Sequence, residues 1–114
     1  MVKDKVEKLV QIIYVPLRGN PFPMNIEPSV DMFQSLVEGF FDFRHIDTTT
    51  IMCVNDDQWT EPINFTLNGR PIRGAVFFIG MRGREWLDCP WTVDEIMNLV
   101  TREKETEVEN GNTV

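Results

Sequence analysis

Apolar residues occupy both parities of residues 9–15, LVQIIYV, and Pro16 cannot extend a ladder, so a central strand ending in a turn is expected. The next ten residues, PLRGNPFPMN, hold three Pro and one Gly and must leave regular structure, with residues 24–26 as a short return strand. Pro28 suits the first position of a helix, with Glu27 and Asp31 at its positive end and Gly39 to close it. Val30, Phe33, Val37 and Phe40, with Leu36 beside them, fall at helical spacing and predict a core-facing stripe over residues 28–40. A cofactor signature is absent from that stripe, so packing on a sheet explains it.

Residues 43–54, FRHIDTTTIMCV, read as one strand, because three Thr followed by an apolar run favour an extended pleat. Asn55-Asp56-Asp57 then reads as a turn whose short polar side chains bond their own backbone. From Ile63 the pattern alternates, with Ile63, Phe65 and Leu67 against Asn64, Thr66 and Asn68, which predicts a half-buried strand. Asn68-Gly69 marks a two-residue hairpin of type I′, which needs positive φ at both positions. Pro71 and Gly74 make the return irregular until Ala75, after which AVFFIG is apolar on both faces and expected to be buried. Residues 81–91 read as a loop with a hairpin-like Arg-Gly-Arg tip. Thr92 and Glu95 then form a capping box that opens a helix over 92–102, with Val93, Ile96, Met97 and Val100 as its apolar face. The elements together predict an α+β fold, a small mixed or antiparallel sheet of four or five strands packed with two helices.

Composition narrows the class. A chain of 114 residues with 42% hydrophobic and 25% charged residues suits one domain, here 1–102, with 103–114 as an acidic, disordered tail. No apolar run reaches the length of a membrane helix, and the charged start MVKDKVEK precedes a short apolar segment without a small-residue cleavage site. Cytoplasmic residence is therefore expected. The net charge of −7 argues against general affinity for nucleic acid, yet it suits a basic partner. Four Arg, at 70, 73, 82 and 84, are the local exception. Two Cys make no disulfide framework and are read as reduced and structural, while His45, Cys53 and Cys89 lack the spacing of a zinc site. Neither metal nor cofactor is expected.

The helix ending LVEGFFDF, the apolar strand running into Asn55, the nearby Asn64, the Gly-x-φ-φ-φ-Ile-Gly strand from Gly74 to Gly80 and the closing Thr-x-Asp-Glu helix form an ordered set. In this set the chain resembles the DUF3846 family, small proteins of unknown function found in bacteriophages, plasmids and bacterial genomes. It departs from that pattern by Trp-Thr-Glu-Pro at 59–62 and by the long loop carrying Arg-Gly-Arg and Trp86. The resemblance implies an α+β fold and an origin on a mobile element, and it implies no enzymatic activity.

No phosphate loop, nucleophile elbow or metalloprotease motif occurs, and Asp56-Asp57 is read as a solvated turn in place of an acid/base pair. Recognition is the expected function. The candidate binding residues are Asn55, Trp59, Glu61, Asn64, Arg70, Arg73, Arg84 and Trp86. One expectation is a non-enzymatic accessory protein that docks on a host protein through its acidic surface and loop aromatics, as an inhibitor or anti-defence factor. The alternative is a small-ligand protein, in which Trp59 or Trp86 stacks on a nucleotide base, an Arg fork holds phosphate and Asn55 or Asn64 reads polar edges, with a homo-oligomer completing the pocket. Mimicry of nucleic acid by the acidic face is a third.

Overall fold

A strand that is apolar on both parities must be covered on both faces, and the segment Val76–Arg82 (β7) meets that demand at the middle of the sheet. The computed structural model describes residues 8–100. In chain order its elements are β1 (Val10–Val15), β2 (Phe22–Ile26), α1 (Val30–Val37), β3 (Phe41–His45), β4 (Thr50–Asn55), a 3-10 turn (Gln58–Thr60), β5 (Ile63–Leu67), β6 (Arg70–Arg73), β7, β8 (Glu85–Leu87) and α2 (Val93–Leu99). Six strands form one antiparallel sheet in the order β2-β1-β7-β4-β3, with β8 pairing β7, and β5-β6 form a separate hairpin sheet. This is a small α+β fold.

The two faces of the sheet carry two cores. On one, Phe33 and Val37 of α1 pack on Val10, Ile12, Ile51, Cys53, Phe77 and Ile79. On the other, Phe65, Leu67 and Ile72 of the β5–β6 hairpin and Ile96 and Val100 around α2 cover Ile13, Met52, Val54 and Phe78. The successive residues Phe77 and Phe78 point to opposite faces and have no exposure, which is what period-two alternation in a doubly covered strand requires. The capping box of α2 is complete: Glu95 N donates to Thr92 Oγ1 at 3.1 Å and Thr92 N to Glu95 Oε1 at 2.8 Å. The hairpin turn also forms as expected, with φ of 51° at Asn68 and 83° at Gly69.

Several sequence expectations are corrected. Eight strands replace four or five, because two segments hide hairpins. Residues 43–54 are not one strand: Asp47 Oδ1 accepts from Thr49 N at 2.9 Å and Ile46 N donates to Thr50 O at 2.9 Å, so local Asp–Thr turn bonding overrides the β-propensity of the Thr run. Residues 81–91 are not a single loop, since β7 runs on to Arg82 and turns at Gly83 into β8. Helix α1 begins two residues after Pro28. Ser29 is its N-cap, with Oγ accepting from Met32 N at 3.1 Å, and Glu38 in the left-handed region ends it. Val30 and Phe40 therefore leave the core stripe, at 60% and 76% exposure. Helix α2 stops at Leu99, and the acidic tail lies outside the described residues.

In β5 the register shifts between Ile63 and Phe65, which leaves Ile63 exposed and turns Asn64 inward. Asn64 Nδ2 then donates to Val15 O at 3.2 Å and Gly74 O at 3.0 Å, fastening the hairpin sheet to the end of β1.

Among the described residues no helix is long and apolar enough to cross a membrane. Cys53 and Cys89 are free thiols packed against opposite cores. Burial pushes Cys53 up to about 12 and Cys89 up to about 11 from the ordinary value of 9.0. Both thiols keep their proton longer in the folded chain than in the unfolded one. Their contribution is whole below pH 9.0 and is lost as pH rises toward about 12. Native protein below pH 9.0 is expected to resist thiol reagents at Cys53 and to become reactive on unfolding, and denaturation midpoints are expected to fall above pH 9.0 less steeply in Cys53→Ala. Labelling followed by mass spectrometry checks the first, and denaturant titration across pH the second. Gly80 of β7 leaves no room for a side chain, since a Cβ would collide with the backbone carbonyl of Asp88. Gly80→Ala is expected to cost at least about 2 kcal/mol in denaturant unfolding, because backbone cannot yield as a side chain can.

Candidate functional site

Two connections meet at one end of the sheet: the α1–β3 turn at Glu38, Gly39 and Phe40, and the β4–β5 segment from Asn55 to Pro62. Asn55 joins them. Its Nδ2 donates to Val37 O at 2.9 Å and Glu38 O at 3.3 Å, which satisfies carbonyls left open at the end of α1. Its Oδ1 accepts from Asp57 N at 2.7 Å, the Asx turn that the Asn-Asp-Asp run predicts. Asp56 N completes the joint by donating to Phe40 O at 2.8 Å. Gly39 fits because a Cβ there would stand 3.0 Å from Asn55 Nδ2, at a φ of 155° that L side chains rarely adopt.

The far side of the segment is tied to the hairpin sheet. Gln58 Nε2 donates to Asn55 O at 2.9 Å and Arg73 O at 3.0 Å, and Gln58 Oε1 accepts from Arg73 N at 2.9 Å. Arg73 Nη1 donates to Glu61 O at 3.1 Å, and Gly74 N to Pro62 O at 2.9 Å. The result is an open cleft of about 250 Å³ whose walls carry the carboxylates of Glu38, Asp56, Asp57 and Glu61 and the ring of Phe40. Among the described residues none of these four carboxylates is in an ion pair. Trp59, carried between the lining residues Asp57 and Thr60, is 88% exposed and Phe40 is 76% exposed. Two large rings held in water by a hydrogen-bonded loop, beside uncompensated negative charge, form a surface suited to a cationic, partly apolar partner. Among the described residues no three His, Cys, Asp or Glu side chains gather to hold a metal ion.

The candidates from the sequence are thus divided. Asn55 and Glu61 line the cleft, Trp59 stands exposed in the 3-10 turn at its margin, and Arg73 supports the segment through its backbone and one guanidinium bond. Asn64 is buried as the hairpin fastener, which removes it from any surface. Arg70 follows the Asn68-Gly69 turn and Arg84 sits at the β7–β8 tip, both exposed and away from the cleft lining. Trp86 is half-buried and packs edge-on to Phe33 at 5.2 Å and against Phe43 at 5.4 Å. It belongs to the α1 face, whereas Ile72 between the two β6 arginines packs on the opposite face. Trp86 and the arginines of β6 therefore lie on different faces, Arg84 alone of the candidate arginines shares the β7–β8 hairpin with Trp86, and the carboxylate-lined cleft disfavours phosphate.

Sequence reasoning missed Glu38 and Phe40. Phe40 matched the helical spacing, but the left-handed turn at Glu38, φ 64°, swings it off the stripe. Glu-Gly ahead of an aromatic was the available signal, since Gly just past a helix ends its periodicity.

No family model matches the chain. No curated protein and no solved structure matches it either.

Asn55→Ala removes two donors and one acceptor at a buried joint and is expected to destabilise by about 2–3 kcal/mol in urea unfolding. Asn55→Asp keeps the acceptor for Asp57 N but loses the donors to α1, and is expected to be no milder.

Proposed function

We propose that this chain is a non-enzymatic binding module that docks on a basic surface of a partner protein through the cleft between the α1–β3 turn and the β4–β5 segment. The observation that carries this reading is the pairing of two water-exposed rings, Phe40 and Trp59, with four carboxylates that have no ion-pair partner among the described residues. The rings supply area and cation–π contact for Lys or Arg, and the carboxylates supply orientation and attraction from a distance. The net charge of −7 adds to that steering. The resemblance to a family from phages and plasmids supports a host protein as the partner, met in the host cytoplasm and inhibited by the docking.

Capture from host lysate on the immobilised chain, followed by affinity measurement with the recovered protein, is the test. Phe40→Ala and Trp59→Ala remove rings that contribute little to the core, so thermal unfolding is expected to change little while affinity drops about tenfold or more for each. Asp56→Asn with Asp57→Asn is expected to slow association and flatten its salt dependence. Affinity indifferent to both rings and to salt would sink the reading.

A further inference from the structure

The outer edge of β3 is the terminal edge of the sheet. Ile46 N donates to Thr50 O and Asp56 N to Phe40 O, so residues 40, 42, 44 and 46 turn their backbone groups toward β4. Antiparallel ladders alternate, and the N–H and C=O groups of Phe41, Phe43 and His45 accordingly face away from the sheet. Among the described residues no strand pairs with that edge.

The opposite edge of the sheet differs. Gln11 directs its carbonyl to Cys89 N and its N–H to Asp88, so Val10, Ile12 and Tyr14 bond β2 and the outward residues of β2 are Pro23 and Asn25. Pro23 has no N–H to offer, which protects that edge. On β3 the only comparable guard is Asp42, whose Oδ1 accepts from Phe43 N at 2.9 Å. That bond is between neighbours in sequence on an exposed side chain and is readily exchanged.

We propose that two copies of the chain join antiparallel along β3 about a two-fold axis at Phe43, making one twelve-stranded sheet from two of six. In this register Phe43 opposes the partner copy's Phe43, and Phe41 opposes its His45, so every outward backbone group of β3 finds a mate. Asp42 opposes the partner copy's Arg44, twice by symmetry, in the pair type where side chains come closest. Within one chain these two side chains are only loosely associated, at 4.0 Å, with 56% and 40% exposure, and are free to exchange partners. Asp42 releases Phe43 N to the partner copy's carbonyl as it turns to that Arg44. On the α1 face, Phe41 and Phe43 stand 5.2 Å apart and half-exposed, and Trp86 lies against Phe43, so pairing extends an existing aromatic cluster across the junction. Self-complementary charge, self-complementary backbone and a shared apolar face all select a second copy as the occupant. The paired edge begins one residue after the cleft residue Phe40, and a dimer presents two such clefts.

Sedimentation equilibrium of the full chain tests this. Wild type is expected to show a concentration-dependent monomer–dimer equilibrium. Asp42→Arg and Arg44→Asp each create two like-charge pairs across the axis and are expected to raise the dimer Kd at least about tenfold. Mixed in equal amounts, the two variants set an all-positive strand face against an all-negative one, and a one-to-one heterodimer is expected to form. His45→Pro, which removes an outward N–H and no bond to β4, is expected to weaken the dimer while circular dichroism stays unchanged. Wild type that stays monomeric up to millimolar concentration overturns the proposal, as does a dimer insensitive to both charge reversals, or folded variants that fail to restore each other.

Discussion

Strand β7 has to be hidden on both faces, and that single demand shapes the molecule. Phe77 and Phe78 are adjacent, large and without exposure, so one needs a cover above the sheet and the other a cover below. Each Phe contributes on the order of 2–3 kcal/mol of hydrophobic stabilisation only if its cover is complete. Helix α1 supplies the first cover with Phe33 and Val37; the β5–β6 hairpin and α2 supply the second with Phe65, Ile72 and Ile96. The small hairpin sheet is therefore a lid on the core and not a free arm, which is why Asn64 is committed to fastening it.

Placing a lid on each face leaves the connections between lid and sheet to meet at the sheet's end. The turn leaving α1 and the segment leading into β5 converge there, and Asn55 bridges them because it ends β4 between the two. Much of the backbone of this corner is bonded internally, through the N–H groups of Gly39, Asp56, Asp57, Thr60 and Glu61. Phe40 and Trp59 are exposed there, and the carboxylates of Glu38, Asp56, Asp57 and Glu61 line the cleft with Phe40. The segment from Asn55 to Glu61 is held by its own hydrogen bonds and does not depend on its exposed side chains for its shape.

The edges of the sheet obey the same economy of partners. β2 ends the sheet with a proline turned outward, while β3 ends it with an unblocked ladder lightly guarded by Asp42. Strand edges of this second kind are open to pairing, and Asp42 and Arg44 on β3 are complementary to the same strand run in reverse.

Local chemistry alone determined much of this. The capping box at Thr92 and Glu95, the Asn68-Gly69 turn, the buried AVFFIG strand and the Asx turn after Asn55 all depend on a few neighbouring residues, and each forms as read. The α+β class followed from their order. Other features depended on what lay opposite in space. Asp47 split an apparent strand by bonding Thr49, a bulge reversed Asn64 and Ile63, and Trp86 joined the α1 core while Trp59 stayed in water, although both sat in similar polar stretches of sequence. Of the candidate site, Asn55, Trp59 and Glu61 were legible as polar and aromatic residues beside a turn. That Glu38 and Phe40 stand beside them was decided only when two segments some seventeen residues apart were closed on one another by Asn55, whose amide reaches back to Glu38. Side-chain type is written in the chain, but exposure and proximity are set by which surfaces the two covers of β7 leave uncovered.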